Sequence, residues 1–374
     1  MNVTRLLIKN FRNHAHTALE FDTGINALVG DNGQGKTSIL EAISFLSLTK
    51  SFSTTNDETV VQLGKERFEI QGTITTDGGI ENCVCVTYTI TPPGKQITIN
   101  QTPPETLASV IGMFPIVVLS PENRSVTFGP PADRRKFMDL ILSQMSSVYF
   151  SDLLEYRRVV RQRNKILSDA RTREADWPEI IAPWSVNLVK YGSRIIHRRR
   201  QFVDEFRQYV RHSYSDLVGD NEAPSIEYSG TVPDANTIET ISALMTSQVQ
   251  ERRGEEFRRG VTLVGPHRDE LVLKINGVSV QKYASQGQHK TLLAALKLAE
   301  FFYMRERRNQ VPIVLLDDVF SELDEHRSRR ILDLVSGLGQ TFVTATDESV
   351  FHNTVGWNKN NRRFHVEQGT CSAL

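Results

Sequence analysis

Residues 30–37 fit the spacing G-x-x-x-x-G-K-[ST], which is typical of a loop that binds the phosphates of a nucleoside triphosphate. Glycines let backbone N–H groups approach a phosphate closely, and the positive N-terminal end of the following helix adds to the attraction. The flanks agree, because residues 25–29 predict a buried strand and residues 37–48 predict a helix. Lys36 is expected to reach the β- and γ-phosphates, and the Thr37 hydroxyl to ligate Mg²⁺. The predicted nucleotide-binding residues are Gly30, Asp31, Asn32, Gly33, Gln34, Gly35, Lys36, Thr37 and Ser38.

An apolar run that ends in two aspartates supplies candidate acids for the same site. Residues 312–318 predict a buried parallel strand whose carboxyl end reaches a ligand crevice. Asp317 is expected to hold Mg²⁺, directly or through water, and Asp318 to polarise an attacking water, with Lys36 as the other catalytic residue. Two alternatives stay open: Asp318 caps the next turn, or Glu122 is the catalytic acid. Because the side chain of aspartate is shorter than that of glutamate, slow turnover is expected.

A Ser-x-Gly-Gln turn at residues 285–288 precedes the acidic strand. Ser285 is predicted to cap a helix, because apolar residues recur downstream at helical spacing and basic residues follow near its end. Read alone, the turn is an ordinary cap. Because the turn follows the phosphate loop and precedes the acidic strand, we interpret it instead as a signature motif that closes over the γ-phosphate bound by a second subunit. Ala284 and Gln286 depart from the usual Leu-Ser-Gly-Gly-Gln. The predicted inter-subunit residues are Ser285, Gln286, Gly287 and Gln288, together with Ser321 and Asp324 of a short acidic turn.

Together these motifs resemble the RecF family of recombination mediators, which is related to the heads of SMC and ABC ATPases. The resemblance runs from end to end of the chain. Besides the phosphate loop, it rests on Ile8-Lys9-Asn10-Phe11-Arg12-Asn13, Leu119-Ser120-Pro121-Glu122, Gly265-Pro266-His267-Arg268-Asp269 and Leu315-Leu316-Asp317-Asp318-Val319.

The resemblance implies both a fold and a function. The fold would be α/β, an ABC-type, SMC-like ATPase head with a mixed sheet that is split by a mostly helical insertion lobe. The function would be weak, DNA-stimulated ATPase activity with ATP and Mg²⁺, ATP-driven homodimerisation, and binding of single- and double-stranded DNA at gaps. RecR and RecO would be partners in loading RecA, in recombinational repair, replication and the SOS response. One departure concerns the γ-phosphate sensor, since Thr346 and Asp347 stand where related ATPases carry a switch histidine.

The hydrophobic pattern divides the chain into three segments. Residues 1–128 form the first part of the ATPase core, residues 129–260 a helical arm inserted in it, and residues 261–374 the second part of the core. The insertion is too short for the long coiled coils of SMC proteins, and its longest helix is expected to reach about 40 Å at ~1.5 Å per residue. Asn276-Gly277 predicts a hairpin turn. Further strands are predicted at residues 3–9, 68–75, 84–90, 96–100, 261–264 and 271–275.

Composition narrows the class of protein less than the motifs do. The 374 residues contain 44 Lys and Arg and 44 Asp and Glu, so the global charge gives no sign of nucleic-acid binding. Cys83, Cys85 and Cys371 are too few and too badly spaced for a zinc site or a disulfide framework. No segment resembles a signal peptide or approaches the ~20 apolar residues of a membrane helix. We therefore expect a soluble, reduced, cytoplasmic protein without membrane contact.

A local excess of positive charge is the candidate for DNA contact. Residues 151–213 contain 14 Lys and Arg against 8 Asp and Glu, and Arg163 and Lys165 contribute to this excess. One interpretation is a surface that follows DNA phosphates when two arms form a clamp. The alternative is a solvated helix face, and composition does not decide between them. The predicted DNA-contacting residues are Arg157, Arg158, Arg161, Arg198, Arg199 and Arg200.

Two other classes of protein compete with this interpretation. A GTPase would need an Asn-Lys-x-Asp base reader, whereas residues 358–361 end in Asn361 and follow no apolar strand. A scaffold that binds ATP without hydrolysing it, like an SMC-type structural protein, is the stronger rival. Asp318 argues against the scaffold, because a purely structural site has no need of a second acid that polarises water.

Overall fold

The computed structural model of the protein describes residues 1–170, 177–219, 221–320, 325–351, 355–357 and 359–374. The chain forms two units by Cα proximity, one of Met1–Arg124, His212–Asp220 and Gln286–Leu374, the other of Ser125–Arg211 and Asn221–Ser285. Within the described residues the strands are β1 (Asn2–Phe11), β2 (His14–Glu20), β3 (Ile25–Val29), β4 (Arg67–Thr75), β5 (Glu81–Thr89), β6 (Gly94–Ile99), β7 (Ile116–Leu119), β8 (Pro224–Ser229), β9 (Glu270–Ile275), β10 (Val278–Ser279), β11 (Ile313–Leu316), β12 (Thr341–Ala345), β13 (Arg362–Glu367) and β14 (Thr370–Ala373). The helices there are α1 (Lys36–Leu48), α2 (Leu107–Val110), α3 (Ser125–Phe128), α4 (Pro131–Met145), α5 (Ser147–Ala170), α6 (Trp177–Val218), α7 (Ile238–Glu251), α8 (Arg253–Arg259), α9 (Val280–Tyr283), α10 (Gln286–Arg308) and α11 (Glu325–Ser336).

A six-stranded sheet in the first unit has the order β14-β13-β3-β12-β11-β7. The strands from β13 to β7 are parallel, and β14 pairs with β13 in the antiparallel direction. β3, β7, β11 and β12 are buried along their whole length, as is typical of parallel strands that are covered on both faces. The carboxyl ends of parallel strands lie at one edge of a sheet, so the residues after Val29, Leu316 and Ala345 come together. The mixed sheet confirms the predicted α/β fold class, and β3 and β11 confirm two predicted strands.

A five-stranded antiparallel sheet in the same unit has the order β2-β1-β4-β5-β6. Its inner face packs on α1 through three buried rings, Phe11, Phe45 and Phe68, with pairwise centroid distances of 5.6, 5.2 and 5.3 Å. β1, β4, β5 and β6 are the four strands predicted from alternation. β2 was not predicted, because its residues His14–Glu20 contain few β-branched or aromatic side chains.

The second unit contains most of the helical residues and a three-stranded sheet of order β10-β9-β8. The predicted hairpin is confirmed: Asn276 and Gly277 both have positive φ, 52° and 77°, between the antiparallel strands β9 and β10. Strand β8 interrupts the segment that was predicted as mostly helical. The expected helix length is wrong, because α6 has 42 residues and reaches about 63 Å at ~1.5 Å per residue.

The predicted strand at residues 261–264 is also wrong. The segment is irregular, and side chains take the place of a neighbouring strand as hydrogen-bond partners of its backbone. The Thr262 N–H donates to Asn164 Oδ1 over 2.7 Å, and the Leu263 N–H donates to Glu256 Oε1 over 2.8 Å. A β-branched apolar run predicts burial here, but its backbone is satisfied without a sheet.

Three of the arginines that made residues 151–213 basic are engaged inside the second unit. Arg199 is 2% exposed and donates to Asp139 Oδ1 and to the Pro266 carbonyl, both over 2.7 Å. Arg163, also 2% exposed, donates to Glu256 Oε2 over 2.9 Å. Arg200 donates to the carbonyls of three residues at positions 232, 233 and 235. The prediction that Arg199 contacts DNA is therefore wrong, and Arg200 is mostly occupied by the protein itself.

We expect Arg199→Met to lower the free energy of unfolding by about 3–5 kcal/mol, because it leaves the buried Asp139 carboxylate without its main counter-charge. Urea denaturation measures the change. The matched control is Arg158→Met, since Arg158 is 63% exposed and pairs with Glu155 only at 3.5 Å; it should stay within about 0.5 kcal/mol of wild type. Wild-type stability of Arg199→Met would contradict a structural role for Arg199.

Candidate functional site

The phosphate loop follows β3 and has a backbone that requires glycine at its two ends. Gly30 and Gly35 have φ of 154° and 112°, in the region that side chains with a Cβ rarely adopt. A Cβ on Gly30 would lie 2.2 Å from the Val366 carbonyl oxygen, and one on Gly35 would lie 2.7 Å from Asn13 and His14 side-chain atoms. Asp31, Asn32 and Gly33, at the top of the loop, are exposed. Atoms of other segments thus pack closely against Gly30 and Gly35, whereas Asp31, Asn32 and Gly33 face solvent.

Residues far away in sequence hold the middle of this loop. The Gln34 carbonyl accepts from Asn13 Nδ2 over 2.8 Å and from the Gly369 N–H over 3.0 Å, and Gln34 Oε1 accepts from the Gln368 N–H over 2.7 Å. His14 Nε2 donates to the Gly35 carbonyl over 3.1 Å, and burial lowers the pKa of His14. Apart from Asn13, which belongs to a quoted stretch, none of these supports was indicated by the sequence.

Lys36 is buried, and its ammonium lies within the curve of its own loop. Nζ donates to the Gly30 carbonyl over 2.5 Å and to the Asp31 carbonyl over 2.8 Å. Burial lowers the pKa of Lys36, while the negative charges of Asp318 and Asp317 oppose that change. A cation held this way, at the first residue of α1, fits the phosphates of a nucleotide.

The acid pair follows β11, and Thr344 of the intervening strand β12 lies between it and the loop strand β3. The Thr37 hydroxyl donates to Asp317 Oδ1 over 2.8 Å, and Thr344, at the end of β12, donates to the same oxygen over 2.9 Å. Asp318 has φ of 48°, a left-handed backbone, and its N–H donates to Thr344 Oγ1 over 2.8 Å. Burial raises the pKa of Asp317, and the two hydroxyl donors oppose this. A hydroxyl and a carboxylate in contact are oxygen ligands of the kind that Mg²⁺ prefers.

The other predicted residues of the site have different placements. Ser38 is buried in α1, with its hydroxyl 3.5 Å from Asn13 Oδ1. Glu122, the alternative acid, is exposed in a 3₁₀ turn after β7, at the same edge of the sheet. Thr346 and Asp347 are exposed after β12. Ser321 and Asp324 of the acidic turn, and Asn358 of the rejected base reader, lie outside the described residues.

The signature turn begins helix α10 as predicted. Helix α10 starts at Gln286, directly after Ser285, and both residues are exposed, while Gly287 and Gln288 are half-buried. The Thr291 hydroxyl donates to the Gly287 carbonyl over 2.9 Å and so closes the first turn. Leu292 and Leu296, two of the apolar residues that recur at helical spacing, are buried.

The described residues contain neither a cluster of metal-binding side chains nor a helix that could span a membrane. These residues hold no group of three or more His, Cys, Asp or Glu side chains that could bind a metal ion. No helix in the described ranges is long and apolar enough to cross a membrane. The metal expected here is Mg²⁺ at Thr37 and Asp317, a hydroxyl–carboxylate pair rather than such a cluster.

Comparison with known sequences identifies relatives over nearly the whole chain. The family model described as RecF/RecN/SMC N terminal domain matches residues 2–372. A protein of Chloroherpeton thalassium named DNA replication and repair protein RecF is 41% identical over 357 residues, which cover 94% of this chain and 96% of that protein. Proteins of the same name from Salinibacter ruber and Lysinibacillus sphaericus are 42% identical over 352 residues and 35% identical over 372 residues. Their alignments cover 92% and 99% of this chain, and 85% and 99% of the relatives.

Comparison with solved structures gives the same family. The recombination mediator protein RecF-ATP in the RecFOR pathway has a TM-score of 0.91 at 29% identity, covering 100% of this chain and 97% of that chain. The structure described as RecF-ATPrS has the same TM-score and identity and covers 98% of that chain. An Smc head bound to the C-winged helix domain of ScpA has a TM-score of 0.56 at 14% identity, covering 100% and 97%, so this likeness shows the fold alone.

The charge on Asp317 should cost stability in the absence of ligand. Because burial raises its pKa, the free energy of unfolding falls as pH rises from the ordinary aspartate range through that raised pKa. Asp317→Asn keeps an acceptor oxygen for Thr37 and Thr344 but cannot ionise. We expect a higher Tm than wild type above the raised pKa and loss of the Mg²⁺-dependent rise in Tm that ATP gives.

Thermal unfolding with and without ATP and Mg²⁺, across pH, measures both effects. Asp333→Asn, at an exposed aspartate of α11, is the control and should change neither. A variant at Asp317 with a wild-type Mg²⁺ response would remove Asp317 from the metal site.

Proposed function

The chain belongs to the RecF family, and from this premise we propose that it is an ATP- and Mg²⁺-dependent DNA-binding protein of recombinational repair and replication. Two copies would pair head to head when ATP is bound, each closing the nucleotide site of the other. The observation that supports this best is the contact of Thr37 with Asp317, which joins the phosphate loop to the acidic strand over 2.8 Å.

Each residue of the proposed ATPase site has a distinct task. Lys36 would bind the β- and γ-phosphates, and Thr37 and Asp317 would hold Mg²⁺, which offsets phosphate charge when bound. Asp318 would orient and polarise the attacking water. The left-handed backbone of Asp318 favours this role, because such conformations in residues with a Cβ concentrate at functional sites.

The signature turn is proposed to act in trans. Ser285 and Gln286 are exposed at the start of the 23-residue helix α10, whose aligned peptide dipoles favour an anion at that end. Exposure of these two residues leaves them accessible to a second subunit. Ser321 and Asp324 are proposed to cross the same boundary.

Ser285→Arg tests the trans assignment. We expect the monomer to bind ATP with near-normal affinity, because Gly30–Thr37 is unchanged, whereas ATP-driven dimerisation and phosphate release should fail. A lost hydrogen bond to a charged acceptor alone is worth roughly 1.5–3 kcal/mol. Light scattering and ATP titration measure the two properties separately. Lys36→Met should instead lose ATP binding and dimerisation together.

Mixing the two variants is the matched control. In the heterodimer one composite site has both lesions and the other has none, so partial ATPase activity should return. Absence of recovery at every mixing ratio, with both variants folded, would mean that the turn acts in cis or that two intact sites are required. Weak ATP binding by Ser285→Arg alone would place the turn in its own pocket.

DNA contact is proposed for the exposed face of α5. Arg157, Arg158, Arg161 and Lys165 are exposed there, and positions 157, 161 and 165 are one helical turn apart on one side of the helix. Arg157 is tied to Asp139 only at 3.3 Å and is 55% exposed. This row presents its cations to solvent, as phosphate contact requires, and Arg198, half-buried in α6, stays a weaker candidate.

Reversing charge in this row should weaken DNA binding at every sequence. For Arg161→Glu with Lys165→Glu we expect lower affinity and a salt dependence whose slope falls by about one unit for each DNA phosphate that the variant no longer neutralises. Fluorescence anisotropy at several salt concentrations measures both. Lys65→Glu with Arg67→Glu makes the same charge change at exposed positions of the first unit. Equal losses of affinity in both double variants would show that the loss comes from the change in net charge and not from this row of α5.

The pathway assignments rest on family membership and are proposals for this chain. We propose cytoplasmic action at single-strand gaps, on single- and double-stranded DNA, with RecR and RecO in loading RecA during the SOS response. The division into core residues 1–128, inserted arm 129–260 and core residues 261–374 is proposed to serve that clamp-like dimer. Phosphate release under single-turnover conditions separates this function from that of a scaffold that does not hydrolyse ATP.

A further inference from the structure

Strand β12 lies between the strand that leads into the phosphate loop and the strand that ends in the two aspartates. Thr344, near its carboxyl end, is 1% exposed. In the parallel register Leu316 pairs with Val343 and Leu28 pairs with Thr344. The Thr344 side chain is therefore next to both halves of the candidate site.

The Thr344 hydroxyl makes two different hydrogen bonds at once. It donates its hydrogen to Asp317 Oδ1 over 2.9 Å and accepts the Asp318 N–H over 2.8 Å. A hydroxyl has one hydrogen and two lone pairs, so both bonds are compatible with one rotamer. One side chain thus fixes the carboxylate of the first aspartate and the backbone of the second.

Each of these two hydrogen bonds restrains one of the aspartates. Asp317 Oδ1 also accepts from Thr37 on α1, so Thr344 is the restraint on the sheet side of the carboxylate. The backbone of Asp318 is left-handed, with φ of 48°, a conformation that aspartate adopts only occasionally, and the bond from its N–H to Thr344 Oγ1 helps to hold it. Loss of the hydroxyl would remove one restraint from each of the two aspartates.

We propose that Thr344 is a positioning residue that couples the proposed metal ligand Asp317 to the proposed catalytic acid Asp318. This inference rests on the ATPase site proposed above. Because Thr344 would act only through the two aspartates, the hydroxyl and not the volume of the side chain should matter.

The test compares Thr344→Val, Thr344→Ala and Thr344→Ser. Loss of the hydroxyl in Val and Ala should lower kcat about 10- to 100-fold and raise the Mg²⁺ concentration for half-maximal nucleotide binding about 10-fold, since hydrogen bonds to charged groups are worth this much. Ser keeps the hydroxyl and should stay within about 3-fold of wild type. A packing role predicts the opposite order, because Val fills the volume of Thr and Ser does not. The Ser–Ala pair, which differs by one oxygen, decides the matter if Val does not fold.

Two further measurements separate positioning from a general structural effect. Hydrogen exchange of the Asp318 amide should accelerate about 10-fold in Thr344→Ala and Thr344→Val. In the Asp318→Asn background, Thr344→Val should lower kcat by a smaller factor than in wild type, because the part of its effect that passes through Asp318 is already lost. Thr341→Val is the matched control: Thr341 is buried on the same strand, its hydroxyl donates to the Gly339 carbonyl over 3.3 Å, and it should change neither kcat nor this amide.

The outcomes distinguish this inference from the proposed function. Wild-type kcat and exchange in Thr344→Val, or a loss in Thr344→Ser as large as in Thr344→Val, overturn the positioning role. If the wild-type protein releases no phosphate with ATP, Mg²⁺ and DNA, the proposed ATPase fails instead. In that case the Mg²⁺ dependence of nucleotide binding and the Asp318 amide still decide the role of Thr344.

Discussion

Parallel hydrogen bonding between β3, β12 and β11 determines where the polar groups of the candidate site stand. Val343 pairs with Leu316 on one side and with Ala27 on the other. This register fixes which residues at the carboxyl ends of the three strands lie side by side. Successive side chains of a strand point to opposite faces, and a slip by one residue would turn Thr344 away from Asp317. The apolar residues of these strands are buried on both faces and fix the register. The core of the sheet therefore specifies the site.

The site that this register assembles is electrostatically costly by itself. Burial raises the pKa of Asp317 and lowers the pKa of Lys36, so both charges are poorly solvated, and Asp318 adds a second negative charge beside the first. A divalent cation would offset the carboxylates, and a polyphosphate would offset the lysine. Binding of such a ligand would thus relieve an electrostatic cost that the folded sheet maintains.

Local patterns predicted what depends on neighbours in sequence, and failed where partners are remote. The phosphate loop, β11, the Asn276-Gly277 hairpin and the start of α10 are all specified by a few adjacent residues, and the structure agrees with each. The Gln368 and Gly369 amides, which donate to the Gln34 side-chain oxygen and carbonyl, are more than three hundred residues away in sequence, and no pattern in either segment indicates the pairing. Thr344 was missed for the same reason. Residues 261–264 were assigned to a strand because apolar composition reports burial but not which groups satisfy the backbone.

The number of charged residues overstates the positive charge that the second unit presents to solvent, because several of its arginines form ion pairs and hydrogen bonds in the interior. Arg199 donates to Asp139 and to the Pro266 carbonyl, and Arg163 pairs with Glu256. The segment Gly265–Asp269, on which the family resemblance partly rests, is held the same way. His267 Nδ1 lies 2.7 Å from the Tyr156 hydroxyl, burial lowers the pKa of His267 to about 4, and the Asp269 carboxylate accepts from the Thr231 N–H over 2.9 Å. A run of His, Arg and Asp in sequence suggests chemistry, yet the contacts of this segment are to Tyr156 of α5 and to the loop after β8. These contacts show that the segment takes part in holding the second unit together, whereas the cations that α5 leaves exposed, such as Arg161 and Lys165, carry the proposal of DNA contact.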